Sequence, residues 1–174
     1  MIENDRFAKI VKKMSMSGRI AIVLRGIEHY LEIYRTQRGF LFEKALNTFW
    51  TFTETDDLGQ WQEQAFDAWG NLPDDEDEAK KLFEYTLWIG ECHLYCAFTK
   101  SGEKEVVKIL RQSVTALSRL GIDLGDMAKV RAFTPSWSLY NALFRSRYLH
   151  WGQPFKREDI IPLIDYQISA IIKL

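Results

Sequence analysis

The sequence predicts an all-α fold, and three observations carry that prediction. Apolar residues recur at offsets of three, four and seven through almost the whole 174-residue chain. No stretch of real length alternates apolar and polar residues. No Asn-Gly or Asp-Gly pair offers a hairpin turn. The reading is a single-domain helical bundle of seven or eight helices spanning residues 1–174.

The first helix is expected over residues 3–14, with Phe7, Ile10, Val11 and Met14 on one face. Ser17 is placed to cap the second, whose face carries Ile20, Val23, Leu24, Ile27, Leu31 and Tyr34. After Gly39, a third helix presents Leu41, Ala45, Leu46, Phe49, Trp50 and Phe52. A short fourth carries Leu58, Trp61, Ala65, Phe66 and Trp69 and stops at Gly70. Beyond Pro73 and an acidic run, a long helix extends from Ala79 to about Lys100, where Ser101-Gly102 is read as a break.

Residues 103–120 follow with Val106, Val107, Leu110, Val114 and Leu117. Gly121 and Gly125 bracket a loop, and a short helix precedes Pro135. Thr134-Pro135 fits a cap and a first-turn proline, with Trp137, Tyr140, Leu143, Phe144 and Tyr148 behind it. After Gly152-Gln-Pro154, residues 157–174 close the chain with six isoleucines at helical spacing, and Pro162 falls in the tolerant first turn. No repeat of 30 to 45 residues and no interdomain linker interrupts the series.

Composition narrows the function classes. With 47% hydrophobic and 14% aromatic residues the chain can fill a sizeable core. No run of about 18 apolar residues predicts a membrane span, and the opening MIENDRFAKIVKKM lacks the apolar core of a secretory signal. A cytoplasmic location is expected. Cys92 and Cys96 lie four apart on one helix face, with His93 beside them. The other histidines, His29 and His150, show no ligand spacing, so buried thiols are expected and no metal site.

Charge is the informative feature. The formal net charge is only -1, yet residues 45–79 hold ten acids and no Lys or Arg. Residues 1–44 hold nine bases and five acids, and residues 80–174 fourteen bases and nine acids. Five of the ten acids, Asp74, Asp75, Glu76, Asp77 and Glu78, stand in a row after Pro73. Helix capping uses two or three of them, for example Asp75 as cap with Glu78 completing a capping box. Adjacent carboxylates repel one another, so the excess asks for another use or for full solvation.

Known chemistries do not absorb the run. An EF-hand loop fails for want of its sixth-position glycine. The aspartate-rich magnesium motif of helical terpenoid synthases is matched only loosely, with no second acidic helix. GxSxG, HExxH, P-loop and GxGxxG patterns are missing. Neighbours such as Cys92 and His93 diverge by about 100° around a helix, which separates nucleophile from base. No catalytic residue and no cofactor is therefore assigned. The scattered bases and the acidic stretch argue against nucleic acid as a partner. What remains is a protein surface: Glu54, Asp56, Asp57 and Asp74–Glu78 as an acidic face that captures a basic partner, with Trp61 or Trp69 as a candidate anchor.

Two segments add a resemblance. SGRIAIVLRGIEHYLEIY followed by LFEKALNTFWTFTE resembles the opening of the all-helical immunity-protein family numbered six, from bacterial polymorphic toxin and contact-dependent inhibition systems. Gly18-Arg19, Ala45-Leu46, Phe49-Trp50 and the acids from Glu54 onward match in order, over about residues 15–90. Thr48 stands where the family more often has an acid. The resemblance implies a cytoplasmic antidote, without enzyme activity, that binds a cognate protein toxin. A nuclease-like toxin with a basic groove would meet the acidic face as a mimic of phosphate. Such a protein is expected to act as a monomer or weak dimer, encoded just downstream of its toxin. The competing expectation is a small helical enzyme or ligand-binding protein that uses the acids as metal or substrate ligands.

Overall fold

The computed structural model describes residues 8–9, 11–12, 14–33, 39–55, 57–73, 78–96, 100–122 and 156–158. Among them the chain is all-helical, with no strand. The helices are α1 (Met16–Ile33), α2 (Gly39–Trp50), α3 (Leu58–Gly70), α4 (Glu78–Cys96) and α5 (Lys100–Arg119), and a 3-10 turn over Thr51–Thr53 follows α2. No helix among the described residues is long and apolar enough to cross a membrane. The helices expected around Pro135 and over 157–174 lie outside the described residues, apart from 156–158.

α1 is the centre. It packs against α2, α4, α5 and the 3-10 turn. Every residue from Met16 to Leu24 is buried, because its sequence SGRIAIVL is apolar or small on all sides except for Arg19. Arg19 is only 1% exposed. Its Nε donates to the Val11 carbonyl at 3.1 Å and its Nη2 lies 3.5 Å from Glu103 Oε1 on α5. That buried guanidinium ties the segment before α1 to the last described helix. The cap of α1 is Ser15, whose Oγ accepts from the Gly18 N–H at 3.0 Å. Ser17, the expected cap, lies inside the first turn, because the hydroxyl that reaches the N3 amide is the one three residues before it.

The aromatic residues form a connected column. Phe42 stacks on Phe83 at 6.3 Å, and Phe83 meets Phe49 edge-on at 4.9 Å. Trp61 lies edge-on to Phe49 at 5.9 Å and to Phe52 at 4.7 Å. One column thereby joins α2, the 3-10 turn, α3 and α4, each contact contributing about 0.5–1.5 kcal/mol beyond burial. The 3-10 turn has a local cause. The Thr51 and Thr53 hydroxyls donate to the carbonyls of Thr48 and Trp50, three residues back, at 2.7 and 2.9 Å. These back-bonds tighten the end of α2 and turn Phe52 into the core.

At Ser101 a boundary differs from expectation, whereas those at Gly70 and Gly121 agree. Ser101 and Gly102 do not break the helix but sit in the first turn of α5, where the N–H groups have no intrahelical partner. Gly70 is the last residue of α3, and Asn71 closes that helix in the right-handed region, both its backbone N–H and its Nδ2 donating to the Asp67 carbonyl. Gly121 does end α5, with φ 74°. Its N–H reaches the Ser118 carbonyl and that of Ile122 reaches Leu117, both at 3.1 Å. This is a Schellman ending, and buried Ile122 and Leu117 supply its apolar contact.

Candidate functional site

α3 decides what the acidic stretch of the chain displays. Asp57 is its N-cap: Oδ1 accepts from the Gln60 N–H at 3.0 Å. This fixes the rotation of the helix, so Trp61 and Ala65 face inward while Gln60, Glu63, Phe66 and Asp67 face out. Phe66 is 58% exposed. Its ring lies 5.6 Å from that of half-buried Trp69, over which Lys80 places its ammonium at 5.3 Å. Lys80 also donates to the Leu72 carbonyl at 3.0 Å, fastening the turn after α3 to α4.

Among the described residues, Trp61 is the one expected surface residue that lies inside. It is 1% exposed, and its Nε1 donates to the Phe49 carbonyl at 3.2 Å. The indole is too large and too well matched by Phe49, Phe52 and Gly90 to face water. Gly90 matters here because a Cβ at that position would stand 2.4 Å from Trp61 Cζ3. Trp61 is therefore a core residue and not a docking anchor. The exposed aromatic of α3 is Phe66, one helical step from Trp69.

Of the expected acidic face, Glu54, Asp57 and Glu78 are exposed. Asp56 and Asp74, Asp75, Glu76 and Asp77 lie outside the described residues. Glu63 and Asp67, which the sequence reading did not single out, belong to the exposed acids of α3. Among the described residues Glu54, Glu63 and Asp67 take part in no ion pair. The nearest sequence signal for them was the i, i+3, i+4 spacing of Glu63, Phe66 and Asp67, which puts all three on one helix face.

A second cluster joins distant parts of the chain. Glu28 on α1 is buried, and its Oε2 accepts from Arg25 Nη1 at 2.7 Å. Its Oε1 pairs with Nη2 of Arg157. Arg157 Nη1 donates to Asn47 Oδ1 at 3.0 Å, and its guanidinium lies over the Trp50 ring at 5.5 Å. Burial first, and then the nearby Arg25, lower the pKa of Arg157, while Glu158 acts the other way. The group borders a cavity of about 250 Å³ that Glu32 and Glu43 also line. Two guanidiniums around one carboxylate leave that carboxylate fully committed, so the arrangement serves as a latch between α1, α2 and the segment at 157. No local pattern announces it, because Arg157 and Asn47 are 110 residues apart.

Cys92 is half-buried and His93 is 3% exposed on α4. Among the described residues no group of three His, Cys, Asp or Glu side chains is arranged to hold a metal ion. Compared with known protein families, curated proteins and solved structures, the chain matches none.

Proposed function

We propose that this chain is a cytoplasmic immunity protein, a single all-α domain of seven or eight helices that neutralises a basic, nuclease-like toxin by binding it. The acidic face comprises Glu54, Asp56, Asp57 and Asp74–Glu78, widened by Glu63 and Asp67. The observation that carries the reading is the outer side of α3. Glu63 and Asp67 flank exposed Phe66 there, outside any ion pair among the described residues, in a 35-residue stretch with no base. Unpaired acids raise the local negative potential and steer a cationic partner, and a neighbouring aromatic gives the docked partner apolar area to cover. The sequence resemblance in α1 and α2 supports the same reading.

The test is association with the toxin domain encoded next to this chain's gene. Rates are measured at low and moderate salt for the wild type, for Asp74→Asn/Asp75→Asn/Asp77→Asn and for Glu63→Gln/Asp67→Asn. Both variants should associate more slowly and depend less on salt, since screening acts over about 8–10 Å. Phe66→Ala should instead speed dissociation. Equal rates and equal salt slopes in all variants would mean that the acids are only a solvated surface.

A further inference from the structure

The basic residues that follow the acidic stretch are not evenly spread. α4 and α5 pack side by side. Along one edge of this seam runs a groove of about 420 Å³. Lys81 and Tyr85 line it from α4, and Lys108, Arg111 and Arg119 line it from α5. Glu78, at the start of α4, is its one acid among the described residues. Among those residues four cations thus face one carboxylate, in a concavity whose size falls in the range of small-molecule sites.

Helix electrostatics account for only part of this arrangement. Arg119 sits in the last turn of α5, where the macrodipole favours a cation. Lys108 and Arg111 are mid-helix, where the dipole offers nothing, and as like charges three apart they repel. Lys108 does bond Glu105 at 2.9 Å, but both side chains are about half exposed, at 61% and 48%. Such a pair is worth little and exchanges readily for a stronger anion. The cations are also strung out: Lys108 to Arg119 covers about 16 Å of helix axis at 1.5 Å per residue. One carboxylate would engage one end of that row, whereas a string of phosphates can engage several members at once. Arg111 and Arg119 supply the planar forks that suit phosphate oxygens.

We propose that the α4–α5 groove binds a small ligand bearing several linked phosphates, held by Lys81, Lys108, Arg111 and Arg119. The groove's cations belong to α4 and α5 and not to α3. The groove shares Glu78 with the acidic face proposed above, and the proposal stands whether or not that face docks a toxin. The probes are tripolyphosphate, ATP without metal, and orthophosphate, titrated calorimetrically into the full chain at low salt. Tripolyphosphate should bind saturably at one site and orthophosphate at least about tenfold more weakly, a difference of about 1.4 kcal/mol. Lys81→Gln/Lys108→Gln should weaken tripolyphosphate by about tenfold or more, and Glu78→Gln should tighten it. Lys9→Gln/Lys12→Gln, which removes the same charge from exposed positions outside the groove, should change nothing. ATP binding with the affinity of tripolyphosphate supports recognition through phosphate. Saturable ATP binding with tripolyphosphate silent overturns it, as does an equal loss in the Lys9/Lys12 control or no saturable binding at all. Circular dichroism of each variant separates loss of the site from loss of the fold.

Discussion

Gly90→Ala tests the packing that draws Trp61 into the core. An added methyl would stand 2.4 Å from Trp61 Cζ3 and 2.7 Å from Cη2. The indole cannot retreat easily: it is wedged edge-on between Phe49 and Phe52 and tethered through Nε1 to the Phe49 carbonyl. Removing a glycine from a helix interior normally stabilises by about 0.5–1 kcal/mol. Forcing a methyl into a filled core costs about 1–3 kcal/mol. The second effect wins, and a net loss of about 1–2 kcal/mol is expected. Urea denaturation followed by tryptophan fluorescence would show a lower midpoint at unchanged slope. Trp61→Phe deletes the clashing atoms, so it should cost about 1 kcal/mol less in the Gly90→Ala background than in the wild type. A Gly90→Ala protein as stable as the wild type, with additive effects in the double variant, would refute the close approach of α4 to Trp61.

Other substitutions separate structural from docking roles. Asp57→Ala should lose about 1 kcal/mol through the α3 cap, while Asp57→Asn keeps the cap and loses only the charge, so thermal unfolding and toxin association rate should diverge for that pair. Gly121→Ala places a Cβ at φ 74° and should cost about 1–2 kcal/mol in urea midpoint analysis. Glu28→Ala leaves Arg25 and Arg157 facing each other. A loss of about 1–3 kcal/mol is expected, below that of a deeply buried pair because the Arg157 side chain is 29% exposed. Arg157→Lys should not restore it, since an ammonium cannot span Glu28 and Asn47 while stacking on Trp50; equal stability of Arg157→Lys and wild type would argue against the latch.

The candidate sites were legible to different degrees. The acidic stretch needs only counting, and Asp57, Glu54 and Glu78 are exposed as charge alone would suggest. Trp61 was misplaced because two tryptophans eight residues apart on α3 look alike in sequence. Which of them faces inward depends on the helix rotation fixed by the Asp57 cap and on the space above Gly90. The basic groove was not legible, because Lys81 and Lys108 come from different helices and are 27 positions apart in the chain.

By itself the sequence determines the helical class, because a 3.6-residue apolar period without alternating runs leaves no partner for a sheet. It also determines that residues 45–79 carry only negative charge, and that the first half of α1, apolar or small on almost every side, must be enclosed by other helices. Tertiary structure alone decides how those facts combine. Which of Trp61, Phe66 and Trp69 meets water, which carboxylate Arg19 reaches, and how Glu28 comes to lie between Arg25 and Arg157 are settled by contacts between segments far apart in the chain. Local preferences are worth a few tenths of a kcal/mol per residue, whereas burying one aromatic or pairing one buried charge is worth about 1–3 kcal/mol. Long-range packing therefore overrules local pattern wherever the two compete.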